Sequence, residues 1–118
     1  MQIILQWQVM SNQHIYLQKG KMRFMRADAK KLKEKRVEEV KEQRKNIPVN
    51  YDLWVWIRYY HWDRRIRDID NYTKIVLDCM NKIVFEDDNQ IQFLYLSKYY
   101  DKENPRVEIE IKQSLSTI

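Results

Sequence analysis

Leu53-Trp54-Val55-Trp56-Ile57-Arg58-Tyr59-Tyr60 is dense in Trp, Val, Ile and Tyr, a composition that suits a central strand buried on both faces. A basic connection follows it, His61-Trp62-Asp63-Arg64-Arg65-Ile66-Arg67. A helix is then predicted over 70–81. Its apolar positions Tyr72, Ile75, Val76, Cys79, Met80 and Ile83 fall at i, i+3, i+4, i+7, i+8 and i+11, the spacing of one helix face. Glu86 to Asn89 reads as a polar turn, and a strand then begins at Ile91.

Working outward, residues 2–9 alternate, with Ile3, Leu5, Trp7 and Val9 on one face and Gln6 and Gln8 on the other, which predicts a strand. Ser11 to Arg23 is polar and contains Gly20, so it reads as a loop or a hairpin. Residues 27–45 are rich in Ala, Lys, Glu, Arg and Gln and predict a helix with a narrow apolar stripe of Ala29, Leu32, Val37 and Val40. Asn46-Ile47-Pro48 ends it. Ile91 to Tyr99 and Arg106 to Lys112 predict two strands joined by a hairpin turn over Asp101 to Pro105. The expected fold is α+β: one domain over residues 1–118, a mixed sheet of about four or more strands and two main helices, in the order β-α-β-α-β-β.

A chain of 118 residues fits one compact domain, and 44% hydrophobic residues suffice for a core. The one cysteine, Cys79, excludes an intramolecular disulfide framework and a cysteine-based zinc cluster, and it falls on the apolar helix face as a small buried residue. No apolar run approaches the ~20 residues of a membrane span, and Met1-Gln2-Ile3-Ile4-Leu5 lacks a basic leader. A cytoplasmic protein is expected. The net charge of +5 is uneven: Lys19 to Lys45 holds 12 Lys/Arg against 5 Asp/Glu, and the remainder of the chain is net −2. A basic half beside an acidic cluster suits holding a polyanion and a cation.

The acidic residues stand in Asp68-Ile69-Asp70-Asn71-Tyr72-Thr73-Lys74, then Asp78, then Asp87-Asp88. Within a helix starting at 70, Asp70, Lys74 and Asp78 would share the face opposite the apolar stripe. Carboxylates arriving from two elements would form a hard-oxygen site of the kind Mg²⁺ accepts. The spacing also allows plainer roles: Asp70 as helix N-cap, Asp68 as a charge near the helix dipole, Asp70–Lys74 as a surface pair, and Asp87-Asp88-Asn89 as a turn. His14 and His61 could be metal ligands or a general base, but neither has a partner at fixed spacing.

The run from Arg64 to Asp78, a basic stretch followed by D-x-D-N-x-x-K-x-x-x-D, resembles the signature of the RusA-type Holliday junction resolvases. Glu86-Asp87-Asp88-Asn89-Gln90-Ile91 resembles that family's second block, and the spacing between the blocks agrees. Upstream, Ser11-Asn12, Tyr16 and the segment from Gly20-Lys21 to Lys31 agree more loosely. The resemblance extends over about residues 2–112. Two departures concern loops: a proline common near the Ser-Asn loop is absent, and Asn81-Lys82 stands where the family often has a glycine.

The resemblance implies a catalytic set of Asp68, Asp70, Lys74 and Asp88, with Asp68, Asp70 and Asp88 binding Mg²⁺ (Mn²⁺ as a substitute) and Asn71, Asp78 and Asp87 in support. It implies a homodimer acting on branched DNA, resolving four-way junctions by paired symmetric nicks in recombination and repair, in the cytoplasm with the nucleoid. Lys30, Lys31, Lys33, Lys35 and Arg36 of the first helix, with Arg64, Arg65 and Arg67, are the expected DNA-backbone contacts. Two other functions remain open at this level: a metal-dependent nuclease for other branched or single-stranded DNA, and a DNA-binding homologue that does not cleave.

Overall fold

The computed structural model describes residues 1–6, 16–19, 22–25 and 27–115, with side chains for 1–6 and 30–115. Its strands are β1 (Gln2–Gln6), β2 (Tyr16–Lys19), β3 (Met22–Met25), β4 (Leu53–His61), β5 (Ile91–Tyr100) and β6 (Arg106–Gln113), and its helices are α1 (Ala27–Gln43) and α2 (Thr73–Met80). A 3₁₀ turn over Asp88–Gln90 leads into β5. Four strands form a mixed sheet in the order β1-β6-β4-β5, and β2 pairs with β3 in a separate hairpin. The expected α+β architecture is the one observed, with β2 and β3 supplying the hairpin that the sequence left open. Trp7, Val9, His14 and Ser11-Asn12 lie outside the described residues.

β4 pairs in parallel with β5, so α2 is the crossover helix of a βαβ unit. Ile75, Val76, Leu77, Cys79 and Met80 of α2 and Val40 of α1 join Ile3, Leu5, Val55, Ile57, Val107 and Ile109 in one buried cluster. Both helices therefore contribute to the core on the same face of the sheet. That corrects the expectation for β4: Leu53, Val55, Ile57, Tyr59 and His61 are buried, but Trp54, Trp56, Arg58 and Tyr60 on the other face are only half-buried.

The expected hairpin between the last two strands is also corrected. β6 is antiparallel to β4 and lies on its far side from β5, so Asp101 to Pro105 steps over the end of β4 instead of joining neighbours. Two strand spacings, about 10 Å, are within reach of a five-residue link. The Asp101 N–H donates to the His61 carbonyl at 2.8 Å, and Arg106, which follows the link, bonds back to Asp101 at 2.8 Å and lies 3.9 Å over the Tyr60 ring. The strict alternation of Val107, Ile109 and Ile111 fits the interior place of β6, while β5 is half-exposed along its length, as an edge strand can be.

α1 protects the other edge. The Gln43 side chain accepts from the Ile4 N–H at 2.7 Å and donates to the Ile4 carbonyl at 2.6 Å, and Glu39 accepts from the Gln6 N–H at 3.1 Å. The outward backbone groups of Ile4 and Gln6 are thus satisfied by a helix and not left to pair with another chain. Among the described residues no helix is long and apolar enough to cross a membrane.

Candidate active site

α2 begins at Thr73, three residues later than its periodicity predicts. The Asp68 carbonyl accepts from the Asn71 N–H at 3.3 Å, and the Asp70 carbonyl accepts from the Thr73 N–H at 3.2 Å, so two overlapping turns wind the chain into the helix. Asp70 therefore precedes α2, and the expected three-residue face is corrected to the pair Lys74–Asp78, 3.8 Å apart. Asp70 is not the N-cap either: Tyr72 occupies that position, without a side-chain cap bond. Asp68 and Asp70 project from the turn as exposed carboxylates, with Asn71 half-buried between Asp70 and the helix.

The turn is fastened to the sheet. The Tyr59 phenol oxygen lies 2.9 Å from the Thr73 hydroxyl. Burial, helped by the negative charge of Asp70 and opposed by the Thr73 bond, pushes the Tyr59 phenol well above its ordinary range, so it stays a neutral hydroxyl.

Asp87 and Asp88 separate into two roles. Asp87 caps the 3₁₀ turn: its carboxylate accepts from the Asn89 N–H at 3.0 Å, and the Gln90 side-chain oxygen accepts from the N–H groups of Glu86 and Asp87, both at 2.9 Å. The Gln90 amide also donates to the carbonyls of Val49 at 3.0 Å and Tyr51 at 2.9 Å. The turn reading thus holds for Asp87, and Gln90, outside that reading, completes the cap. Asp88 is half-buried, and its carboxyl is raised first by burial, then by a hydrogen bond shared with Asp87 and by the charges of Asp87 and Asp78, against which Lys74 acts. The structure therefore brings Lys74, Asp78, Asp87 and Asp88 into one electrostatic neighbourhood, with Asp68 and Asp70 in the turn before α2.

Among the described residues, no group of three or more Asp, Glu, His or Cys side chains is arranged to hold a metal ion between them. The donors still have the chemistry of a Mg²⁺ site. They are hard carboxylate oxygens, with Asp88 raised by burial and by its acidic neighbours, and Mg²⁺ takes only one or two carboxylates, completing its shell with waters and substrate phosphate. An open acidic patch suits that coordination, and the described residues form no closed cage.

The basic residues fall into two groups. Lys30, Lys31 and Lys35 are exposed on α1 and Lys33 is half-buried. Arg36 is corrected from a surface contact to an internal one: it is 5% exposed, donates to the Gln6 carbonyl and pairs with Glu39 at 3.2 Å. Burying Arg36 ties α1 to the β1 edge and removes it from any DNA-facing surface. Arg64 and Arg65 are exposed, whereas Arg67 is turned inward, paired with Asp63 at 2.7 Å and stacked over Trp62 at 4.6 Å.

His61 is buried against Tyr59, Trp62 and Tyr72, and its imidazole is pushed down to about 4, first by burial and then by Arg67 and Lys98. It stays neutral at physiological pH and fills a structural place. Cys79 is fully buried, its thiol pushed up to about 12 by burial. Sequence reasoning missed Thr73 as the partner of Tyr59, and it missed Lys98 and Tyr100, which β5 carries to the basic connection. No spacing signal links residues 31 positions apart; the parallel register of β4 and β5 does.

A crossover helix carrying a lysine and an aspartate, an acidic turn before it and a basic connection before that make a surface suited to a polyanion beside a cation. Residues 6–112 match the family described as Endodeoxyribonuclease RusA, and the chain belongs to that family. It is also similar to a Bacillus subtilis (strain 168) protein described as "Uncharacterized protein YqaN", 46% identical over 46 residues, 39% of this chain. The chain spans 32% of the length of that relative.

Proposed function

We propose that the protein is a Mg²⁺-dependent, structure-selective endodeoxyribonuclease that resolves four-way DNA junctions by paired symmetric nicks. The observation that carries this reading is Asp88. Its neighbour Asp87 is committed to a cap, but Asp88 sits half-buried beside Asp87 and Asp78 in a chain of an endodeoxyribonuclease family. A carboxylate kept where burial and like charge disfavour its ionised form is better accounted for by a cation partner than by fold stability.

Asp68, Asp70 and Asp88 would hold the metal. Bound there, Mg²⁺ (or Mn²⁺) supplies an activated water and offsets charge on the phosphate. Lys74, at the first turn of α2, neutralises the scissile phosphate or steadies the attacking water, and Asp78 orients it through their ion pair. Asn71 and the Tyr59–Thr73 bond fix the turn. Lys30, Lys31, Lys33, Lys35, Arg64 and Arg65 contribute backbone contacts that weaken with salt.

Two nicks related by a two-fold axis call for two sites, which a C2 homodimer provides. The helix-free face of the sheet is the surface we assign to that contact. Its Trp54, Trp56 and Tyr60 are half-buried, and Phe93, Tyr95 and Tyr99 are exposed. Action on recombining DNA would place the protein with the nucleoid.

The test is a labelled four-way junction and a linear duplex, each with and without Mg²⁺, beside an Asp70→Asn variant. Paired nicks confined to the junction, dependent on metal and absent from the variant, support the reading. Cleavage of other branched or single-stranded DNA with the junction left intact replaces its substrate. Binding without cutting under any divalent metal makes the protein a non-cleaving homologue and sinks the catalytic assignment.

A further inference from the structure

The C-terminal ends of β4 and β5 open into a cleft of about 390 Å³ where the basic connection folds back over β5. Open α/β sheets bind ligands beyond the carboxyl ends of their parallel strands, and ligand clefts typically measure about 300–1,000 Å³. Arg64, Arg65, Arg67 and Lys98 line this one, with Asp63 as the carboxylate among its lining residues. That carboxylate is already engaged, accepting from Arg67 at 2.7 Å and from the Arg65 N–H at 3.0 Å.

The cations left facing the cleft are therefore Arg64, Arg65 and Lys98. Lys98 donates one bond to the Arg67 carbonyl at 2.6 Å and keeps two further N–H donors. Beside them is a flat surface: the Arg64 guanidinium lies 4.3 Å over the Tyr100 ring, and Tyr100 is 41% exposed. Cationic donors next to an exposed Arg–Tyr stack match the two halves of a nucleotide, a phosphate and a π-face.

We propose that this cleft holds one unstacked nucleotide of a DNA strand, its phosphate on Arg64, Arg65 and Lys98 and its base on the Arg64–Tyr100 stack. The inference rests on the endonuclease reading. A base inside a linear duplex cannot reach the cleft, but an unpaired or strained base at a branch point can. Arg67 of the cleft lining immediately precedes Asp68 in the chain, so a nucleotide held here lies next to the segment that carries the acidic turn. The cleft is thus a device for preferring branched DNA to linear duplex and for placing a strand on the site.

The test uses the full chain in EDTA, so that binding is read without cleavage. Its probes are a four-way junction with 2-aminopurine at the branch point and a linear duplex carrying the same base. Wild-type protein should change the 2-aminopurine fluorescence on the junction and leave the duplex signal unchanged. Tyr100→Ala should lower junction affinity roughly tenfold, abolish the signal and leave duplex affinity within about threefold; Arg64→Ala, which also removes a backbone contact, should abolish the signal and weaken the junction more than the duplex. Tyr100→Phe, which keeps the ring and the strand, should behave as wild type.

If both alanine variants leave the junction-to-duplex ratio and the fluorescence unchanged, or weaken both DNAs equally, the cleft is only a phosphate contact and the proposal is overturned. Cleavage of the junction by the wild type is scored separately in Mg²⁺. Cutting with an unchanged ratio overturns the cleft and keeps the nuclease. Loss of the ratio in the variants, with no cutting by the wild type, keeps the cleft and removes the nuclease.

Discussion

The Tyr59 hydroxyl and the Thr73 hydroxyl stand 2.9 Å apart, joining the central strand to the first residue of the crossover helix. Tyr59 is buried, and the acidic turn ends where this bond is made. Tyr59→Phe removes the partner of a sheltered hydroxyl and should cost about 1 kcal/mol. Thr73→Val should cost about as much, and the double variant little more than either, because both delete the same bond. Urea unfolding of the four proteins checks this. Additive losses would mean that the bond does not couple strand to helix.

Asp88 and Asp87 should respond oppositely to neutralisation. The folded state raises the Asp88 carboxyl above its ordinary value of about 3.9, chiefly through burial. A carboxyl raised on folding binds its proton more tightly in the native state, so stability is lost as pH rises from the unfolded value through the folded one. Asp88→Asn escapes that loss and should be more stable than the parent at pH 7, with the gap closing toward pH 3. Asp87 is lowered, first by the Asn89 N–H, so its contribution is present above the unfolded value and disappears as pH falls. Asp87→Asn should therefore be the less stable protein at pH 7. Melting curves at both pH values decide it. Adding Mg²⁺ should raise the parent's melting temperature and not that of Asp88→Asn.

Lys82 has φ 68° at the end of α2, where its N–H donates to the Phe85 carbonyl at 2.7 Å. A side chain in that left-handed region costs on the order of 1 kcal/mol. Glycine removes the strain but gives back part of the gain through its freedom in the unfolded chain. Lys82→Gly should stabilise the protein by about 0.5 kcal/mol, a rise of roughly 2 °C in Tm. Lys82→Asn should gain less, since asparagine tolerates this region only moderately. A drop in Tm for both variants would show that the lysine side chain contributes more than its backbone strain costs.

Local signals made the fold legible where a segment's own chemistry settles its structure. The β-branched and aromatic run of β4, the alternation of Val107, Ile109 and Ile111, and the apolar spacing of α2 each name their element without reference to the rest. The errors lie where a distant partner decides. Asp101 to Pro105 has a hairpin's composition, yet it crosses β4, because β4 pairs with both β5 and β6. Arg36 is one more cation in a basic helix by sequence, and only the backbone of Gln6 and the carboxylate of Glu39 turn it inward. The acidic residues of the candidate site stand out by spacing and family resemblance. The division between Asp87 and Asp88 was not, because the cap depends on where Gln90 meets Val49 and Tyr51.

The face of β4 away from the helices carries the last prediction. Trp54 stands 5.4 Å from Tyr95, and Tyr60 stacks on Tyr99 at 4.9 Å, so two groups of aromatic rings flank Arg58 and Ser97 on this face of the parallel pair. Charges on this face are paired internally: Arg58 bonds Glu108 and Glu110, each at 3.2 Å, and Arg106 bonds Glu108 at 2.7 Å. Such a surface loses little by desolvation and gains by covering its aromatic rings, as a dimer contact does. Tyr95, 50% exposed, can be replaced without emptying the core. On the proposed dimer, Tyr95→Arg should leave the melting temperature of the fold close to the parent's, and sedimentation should give a dimer for the parent and a monomer for the variant. The same variant should convert paired junction nicks into single ones, since each acidic site would then act alone. A parent monomeric at all concentrations, or a variant that still sediments as the dimer, would show that this face is not the contact.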